Sequence, residues 1–444
     1  MLTRRDFVRG SGLAVGALGL LRPSLASAAP AAEPTSPSFT PGDWTSVRAQ
    51  FRLAPEWTHM SSFYIVSHPA PVREAIEFHR RALDADPFGY LERHMFEEDR
   101  DQLWRKVCAA AAGYIGGKPE EVALTHSTSE GLALLYNGLK LKPGQEILTT
   151  AHDHYVHHES IRLAVEKHGG ATRRIALYDV GAPVTSDSIV ARLRDAMTPA
   201  VRVVGVTWVH SSSGVRLPIR KIADAIAEAN RGRAEADRVL LVVDGVHGFG
   251  AVDESVAGLG CDFFASGTHK WIFAPRGTGL VWGRPEAWGQ VAPTVPSFMD
   301  FDAYVAWQDG KAPAGPTRAS QFSPGGFTAF EHQWAAIEAF GFHERIGRAR
   351  IAARIAELNS HIKDGLATMA HVTLHTPRDP ALSAGINCFE VRGIAPADVV
   401  KKLLAKKVIA STSPYKVTYP RLAAGIMNTP EDVDRALAAV RALA

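Results

Sequence analysis

The run VLLVVDGVHGFGAVD closes its apolar stretch on Asp244, with Gly245 and His247 directly behind. Twenty-six residues on, CDFFASGTHKW sets His269 and Lys270 just past a second apolar stretch. A charged group beside such a stretch is expensive to bury unless something pairs with it. A β-branched apolar run that ends in a carboxylate reads as a strand whose carboxyl end faces a ligand, the place where open α/β sheets bind. By itself Asp244 is equally a cap for the next helix. Together with a lysine on a neighbouring strand end it suits one chemistry. The amine forms a Schiff base with an aldehyde cofactor, and the carboxylate holds a proton on that cofactor's pyridine nitrogen. Burial eases deprotonation of the amine, so Lys270 can serve as nucleophile and base.

Two further stretches carry polar groups in suggestive patterns. In LTHSTSEGL, Ser127, Thr128 and Ser129 open a helix, and helix N-termini attract anions; an ordinary Ser/Thr N-cap is the plainer reading. In TTAHDHYVHHES, four histidines (His152, His154, His157, His158) fall within seven residues. That spacing admits a metal-ligand pair, an exposed polar face or a ring-stacking histidine.

These groups need elements to hold them. EVALTHST, QEILTT, RRIAL, VRVVGVTWVH and VLLVVDGV are short apolar runs, separated by helical patterns such as SEGLALLYNGLK, HESIRLAVEKHG and IRKIADAIAEAN. The alternation predicts a parallel sheet with helices on both faces. Helical periodicity precedes it at 71–83 and 96–115 and returns from 326 to 358. A last α+β segment contains the strand GINCFEV and the closing helix PEDVDRALAAVRAL.

The motifs VVDGVHGFGAVD and SGTHKWIFAPRGTGLVW, in that order, resemble the pyridoxal-phosphate enzymes of aminotransferase class V. Within them the similarity is to the isopenicillin N epimerase-like branch, whose lysine motif reads H-K-W-x-x-A-P-x-G. The resemblance spans roughly residues 60–444. It implies an α/β protein of PLP fold type I, with a large PLP-binding domain over 61–320, a smaller C-terminal domain over 321–444 and an arm over 29–60. It implies pyridoxal 5′-phosphate (PLP) as cofactor, bound to Lys270 as a Schiff base. Asp244 would pair with the ring nitrogen and His247 would reach the phenolic oxygen. Ser127, Thr128, Ser129 and His269 would hold the phosphate. Ser266 is a weaker phosphate contact, because the hydroxyl usual three residues before the lysine is here Gly267. His152 would stack on the ring, with His154 and Tyr155 facing substrate, and no metal is implied. In YPRLAAGIMNTPEDVDRAL, Arg421 stands where the family clamps a carboxylate bidentately, although Ala423 and Met427 replace the usual Ser and Tyr. In SPGGFTAFEHQ, Gly326 replaces a threonine that reaches the partner's phosphate, leaving Gly326 or Thr328 for that contact and implying a homodimer.

PLP alone does not fix the reaction. Cysteine desulfurases of this family carry a nucleophilic cysteine shortly before the arginine motif, yet no cysteine follows Cys388, and Cys388 lies in an apolar run. The reading is therefore an epimerase or aminotransferase acting on an amino-acid or peptide-derived amine. The alternatives are a β-lyase without a catalytic cysteine and a non-catalytic PLP-fold protein. Trp57, Phe63, Tyr64, Trp208 and Phe327 are aromatic candidates for an entrance, or for core packing.

The chain opens MLTRRDFVRGSGLAVGALGLLRPSLASAAP. Arg4 and Arg5, a short apolar run and Ala26–Ser27–Ala28 resemble a twin-arginine export signal over residues 1–28, cleaved after Ala28. The expectation is a periplasmic or secreted protein that leaves the Tat machinery folded and keeps no membrane anchor. Net charge is only +3 over 444 residues and no stretch is strongly basic, which leaves nucleic-acid binding without an electrostatic footprint. Three scattered cysteines make no disulfide framework.

Overall fold

The computed structural model describes residues 38–97 and 100–444. The expected export signal over residues 1–28 and its expected cleavage site lie outside the described residues. Strands are β1 Thr58–His59, β2 Val122–Thr125, β3 Glu146–Thr150, β4 Ala171–Ile175, β5 Val201–Thr207, β6 Leu240–Asp244, β7 Phe263–Gly267, β8 Gly279–Gly283, β9 Val372–Leu374, β10 Asn387–Val391, β11 Val408–Ile409, β12 Ser411–Thr412 and β13 Pro420–Leu422.

Seven of them form the central sheet in the order β2-β8-β7-β6-β5-β3-β4. Only β8 runs against its neighbours; the β7-β6-β5-β3-β4 pairs are parallel. Side chains alternate across a strand, and in β3, β5, β6 and β7 both faces are dry. Leu148, Val204, Val243 and Phe264 pack into one core. Their chain neighbours Ile147, Val203, Val242 and Phe263 pack into another on the opposite face. That is why these strands read as continuous apolar runs. Helices return the chain between strands. Ile219–Ala229 turns Ile219, Ile222, Ala223 and Ile226 inward at helical spacing.

The C-terminal part is a four-stranded antiparallel sheet, β12-β13-β10-β9. Its core takes Leu358, Ile362 and Leu366 from the helix Arg348–Ala367 and Val433, Leu437 and Val440 from Pro430–Arg441. Residues 48–59 are tied to this part. β1 pairs with β11, Asn428 donates to His59 O, and Arg48 reaches Asp432 at 2.5 Å.

Two helical expectations are corrected in detail. The helix over 96–115 begins only at Leu103, behind a π-helical turn at Glu92–Phe96, because the intervening EEDRDQ offers no apolar residue to bury. The helix after residue 326 is two, Phe330–Ile346 and Arg348–Ala367, broken at Gly347, whose φ of 95° lies outside the helical region.

Candidate active site

The carboxyl ends of β5, β6 and β7 and the start of the helix Thr128–Gly138 meet at one edge of the central sheet. They floor a cleft of ≈ 610 Å³, whose other wall is Ser411, Thr412, Tyr415 and Arg421 from the C-terminal part together with Phe63 and Tyr64. Asp244 is the last residue of β6 and is buried. The backbone that follows must pass directly over Phe264, since a Cβ on Gly245 would come within 1.9 Å of its ring. Glycine there lets the chain turn and leaves the carboxylate at the strand end.

Asp244 Oδ1 accepts from Val246 N at 3.1 Å. Burial outweighs that bond and the charge of Lys270, pushing the carboxyl up to about 6. Burial likewise pulls Lys270 down to about 8, against the pull of Asp244 and with help from Arg421. Lys270 Nζ lies 3.4 Å from His247 Nε2. Burial, and then the Lys270 charge, hold His247 well below the usual imidazole range, so the ring is neutral; its Nδ1 has no partner. His269, down to about 4 by burial, lines the same cleft.

Ser127 caps the helix Thr128–Gly138, accepting from Glu130 N. Thr128 Oγ1 accepts from Gly267 N at 2.7 Å, clamping the helix start to the end of β7, three residues before Lys270. Ser127, Thr128 and Ser129 all line the cleft, at a helix terminus whose first N–H groups lack helical partners.

The histidine-rich segment separates rather than clusters. His152 turns away from the cleft: its ring stacks on Tyr178 at 3.9 Å and 6°. His154 is the one beside Lys270 and Arg421, and it caps the helix Tyr155–His168 through Nδ1. Its pKa is lowered by burial first and by those two cations next. His157 is buried against Tyr136 Oη, at 2.6 Å, and His158 donates to Thr150 O. Among the described residues no three potential ligands converge on a metal position. Tyr155 points to solvent, 68% exposed, and Ser266 is sealed inside β7 with its hydroxyl on Gly267 O. Gly326 and Thr328 sit outside the cleft lining, although Thr328 Oγ1 meets His126 Nε2, next to Ser127, at 3.0 Å. Trp208 packs in the core.

Arg421 is buried, its guanidinium 4.4 Å over the Phe63 ring. Ser211 and Tyr415 line the cleft without having been anticipated. Ser211 follows β5 on the ligand-binding edge and could have been found by that rule; nothing in the sequence marks Tyr415.

Residues 89–435 match the family described as aminotransferase class-V. The chain belongs to that family. This class-V chain is 27% identical over 414 residues to the isopenicillin N epimerase of Streptomyces clavuligerus, covering 90% of this chain and 98% of that protein. It is 25% identical to a probable cysteine desulfurase of Pseudomonas aeruginosa over 72% of this chain and 77% of that one. Among solved structures, the cystine C-S lyase C-DES with its product cysteine persulfide superposes with TM-score 0.75 at 20% identity, over 87% and 98% of the two chains. A C-DES mutant with glycine linked to its PLP cofactor gives TM-score 0.77 at 20% identity, over 89% and 98%. The fold is thus PLP fold type I, and the family is PLP-dependent.

The donor set of this class-V chain fits that cofactor. A helix terminus with three hydroxyls suits the phosphate, and a buried lysine amine drawn down to about 8 suits the aldehyde. Asp244 carries a single hydrogen bond, and two buried nitrogens, His247 Nδ1 and Arg421 Nε, have no protein partner.

Proposed function

We propose that this chain is an exported PLP-dependent enzyme of the epimerase or aminotransferase type, acting at the α-carbon of an amino acid or peptide-derived amine. The observation that carries the reading is the convergence of Lys270, Asp244 and Arg421 in one cleft from three separate elements. When bound, PLP supplies a ring that accepts electrons from the bond broken at the substrate carbon. Asp244 would hold the proton on the ring nitrogen, and Ser127, Thr128 and Ser129 would bind the phosphate. Lys270 moves the proton at the α-carbon, its amine already near neutrality at about 8. His154, rather than the expected His152, would cover the ring. Arg421 binds the substrate carboxylate.

The cysteines favour proton transfer over desulfuration by thiolate. Cys108, Cys261 and Cys388 are all buried, and burial pushes each thiol up, Cys108 and Cys388 to about 12. A thiol so far above neutrality supplies almost no nucleophilic thiolate.

The test is incubation of the PLP-loaded protein in deuterated water with a panel of L- and D-amino acids and short peptides. Incorporation of deuterium at the α-carbon, absent in Lys270→Ala, supports the reading, and the accompanying product distinguishes an enantiomer from a keto acid. Release of ammonia and sulfide without exchange instead supports the β-lyase. No visible absorption band on adding PLP to the wild type overturns both. Two further parts of the proposal have their own assays. Replacing Arg4 and Arg5 with lysine abolishes export of a chain whose mature form begins at Ala29, and sedimentation of that form gives a homodimer.

A further inference from the structure

Arg421 enters the cleft with its donors partly committed. Nη1 donates to Ser211 O at 3.1 Å, and Nη2 donates to both Ser411 Oγ at 3.0 Å and Thr412 O at 2.8 Å. A guanidinium grips a carboxylate bidentately with two parallel N–H groups on one edge, either Nη1 with Nη2 or Nε with Nη2. Both edges need Nη2, and both of its hydrogens are taken. What remains is the unpartnered Nε–H and one Nη1–H, on different edges. A carboxylate arriving here finds a single-point contact from Arg421 and needs a donor for its second oxygen.

That donor lies alongside. Tyr415 Oη sits 2.7 Å from Ser211 Oγ, the serine whose carbonyl holds Arg421, although the two residues are 204 apart in sequence. Both line the cleft. The Tyr415 ring stands edge-on to His154 at 5.9 Å, and its carbonyl is held by Thr418 Oγ1, so the side chain is positioned from both ends. Burial pushes the phenol upward, which keeps it a hydrogen-bond donor wherever Lys270 titrates.

We propose that Tyr415, supported by Ser211, completes with Arg421 a subsite for the free carboxylate of the substrate. Arg421 donates to one oxygen and Tyr415 to the other, while the Ser211 hydroxyl turns to donate to Tyr415 Oη. Residues 411–419 thereby act as a specificity element, selecting amines that carry a free carboxylate beside the reacting carbon over amidated ones. The inference rests on the proposed reading of the cleft.

Two carbonyl reagents separate the two claims without knowledge of the substrate. Aminooxyacetate carries a carboxylate and methoxyamine does not, and both consume the visible band of PLP-loaded protein by forming oximes. The wild type should react with aminooxyacetate at much lower concentration. Tyr415→Phe should lose about tenfold of that preference, the size of one hydrogen bond to a charged group, with the methoxyamine reaction unchanged. Ser211→Ala should lose about threefold, since it removes the support and not the donor; it also carries the test if Tyr415→Phe does not fold. A wild type without preference, or a preference untouched in both variants, overturns the subsite. A wild type that acquires no visible band with PLP overturns the underlying reading instead.

Discussion

Two buried carboxylates on the same edge of the central sheet, Asp153 just past β3 and Asp244 at the end of β6 with β5 between them, behave in opposite ways. Asp153 Oδ2 accepts from Thr149 Oγ1 and Thr150 N, and its Oδ1 accepts from Thr207 N and His210 Nε2. Thr207 is paired in register with Asp244, which has one hydrogen bond. Burial pushes both carboxyls up. At Asp153 the bonds from His210 and Thr207, with the nearby histidine charges, outweigh it and hold the group far below the carboxylate range. At Asp244 burial wins, and the group rises to about 6. Equal burial therefore does not mean equal purpose. The carboxylate with four donors is spent on the structure, tying the end of β3 to the end of β5. The one with a single donor keeps its capacity for a ligand.

The contrast can be broken by mutation, and the largest effect lies on the ligand side. Lys270→Ala should lower α-proton exchange by at least about 10³-fold without unfolding the protein. Next, Asp153→Asn should destabilise the fold by about 3 kcal/mol, because it unpairs several buried donors at once. Asp244→Asn should instead hold or raise stability while losing turnover. If both asparagine variants unfold alike, the distinction between the two carboxylates fails.

pH sharpens the same comparison in the cofactor-free protein. Asp244 has its folded pKa above the unfolded value, so its ionisation opposes folding; the penalty is present above pH 6 and relieved as pH falls toward 4. The stability gained by Asp244→Asn, at most about 3 kcal/mol at pH 7, should therefore shrink to nothing by about pH 4. For Asp153 the sign reverses. Its contribution is complete above the unfolded carboxylate pKa and is lost only as pH falls below about 4 toward the folded value. Urea titrations of the two variants and the wild type from pH 8 to 4 should show the Asp244→Asn gain vanish while the Asp153→Asn loss stays constant. A smaller effect concerns Lys270, whose reaction with added PLP should rise through about pH 8 rather than near 10.5. The smallest is Tyr178→Phe, which removes the hydroxyl joining His210 Nδ1 to Ser213 Oγ, both at 2.7 Å, and should cost about 1 kcal/mol with exchange unchanged.

Much of this was legible without coordinates. Continuous apolar runs such as VLLVVD announce strands buried on both faces, and Asp244 and Lys270 were found from their places at the ends of two such runs. The helix that opens at Thr128 was readable from Ser127 and the spacing behind it. The helix breaks at Gly347 and before Leu103 were not, since helical periodicity continues across the first and extends past the second.

The positions of Asp244 and Lys270 behind two apolar runs, the lack of a cysteine beyond Cys388 and the family motifs are legible in the chain alone, because each depends on residues close in sequence. Only the folded arrangement settles which of His152 and His154 enters the cleft. His152 and His154 flank the turn into a helix, where two residues of backbone reverse a side chain's direction, so one stacks on Tyr178 and the other faces Lys270. It alone also decided the donors left on Arg421 and the meeting of Ser211 with Tyr415. Those depend on how β12 and β13 dock against the end of β5, a contact across some two hundred residues that no local pattern encodes.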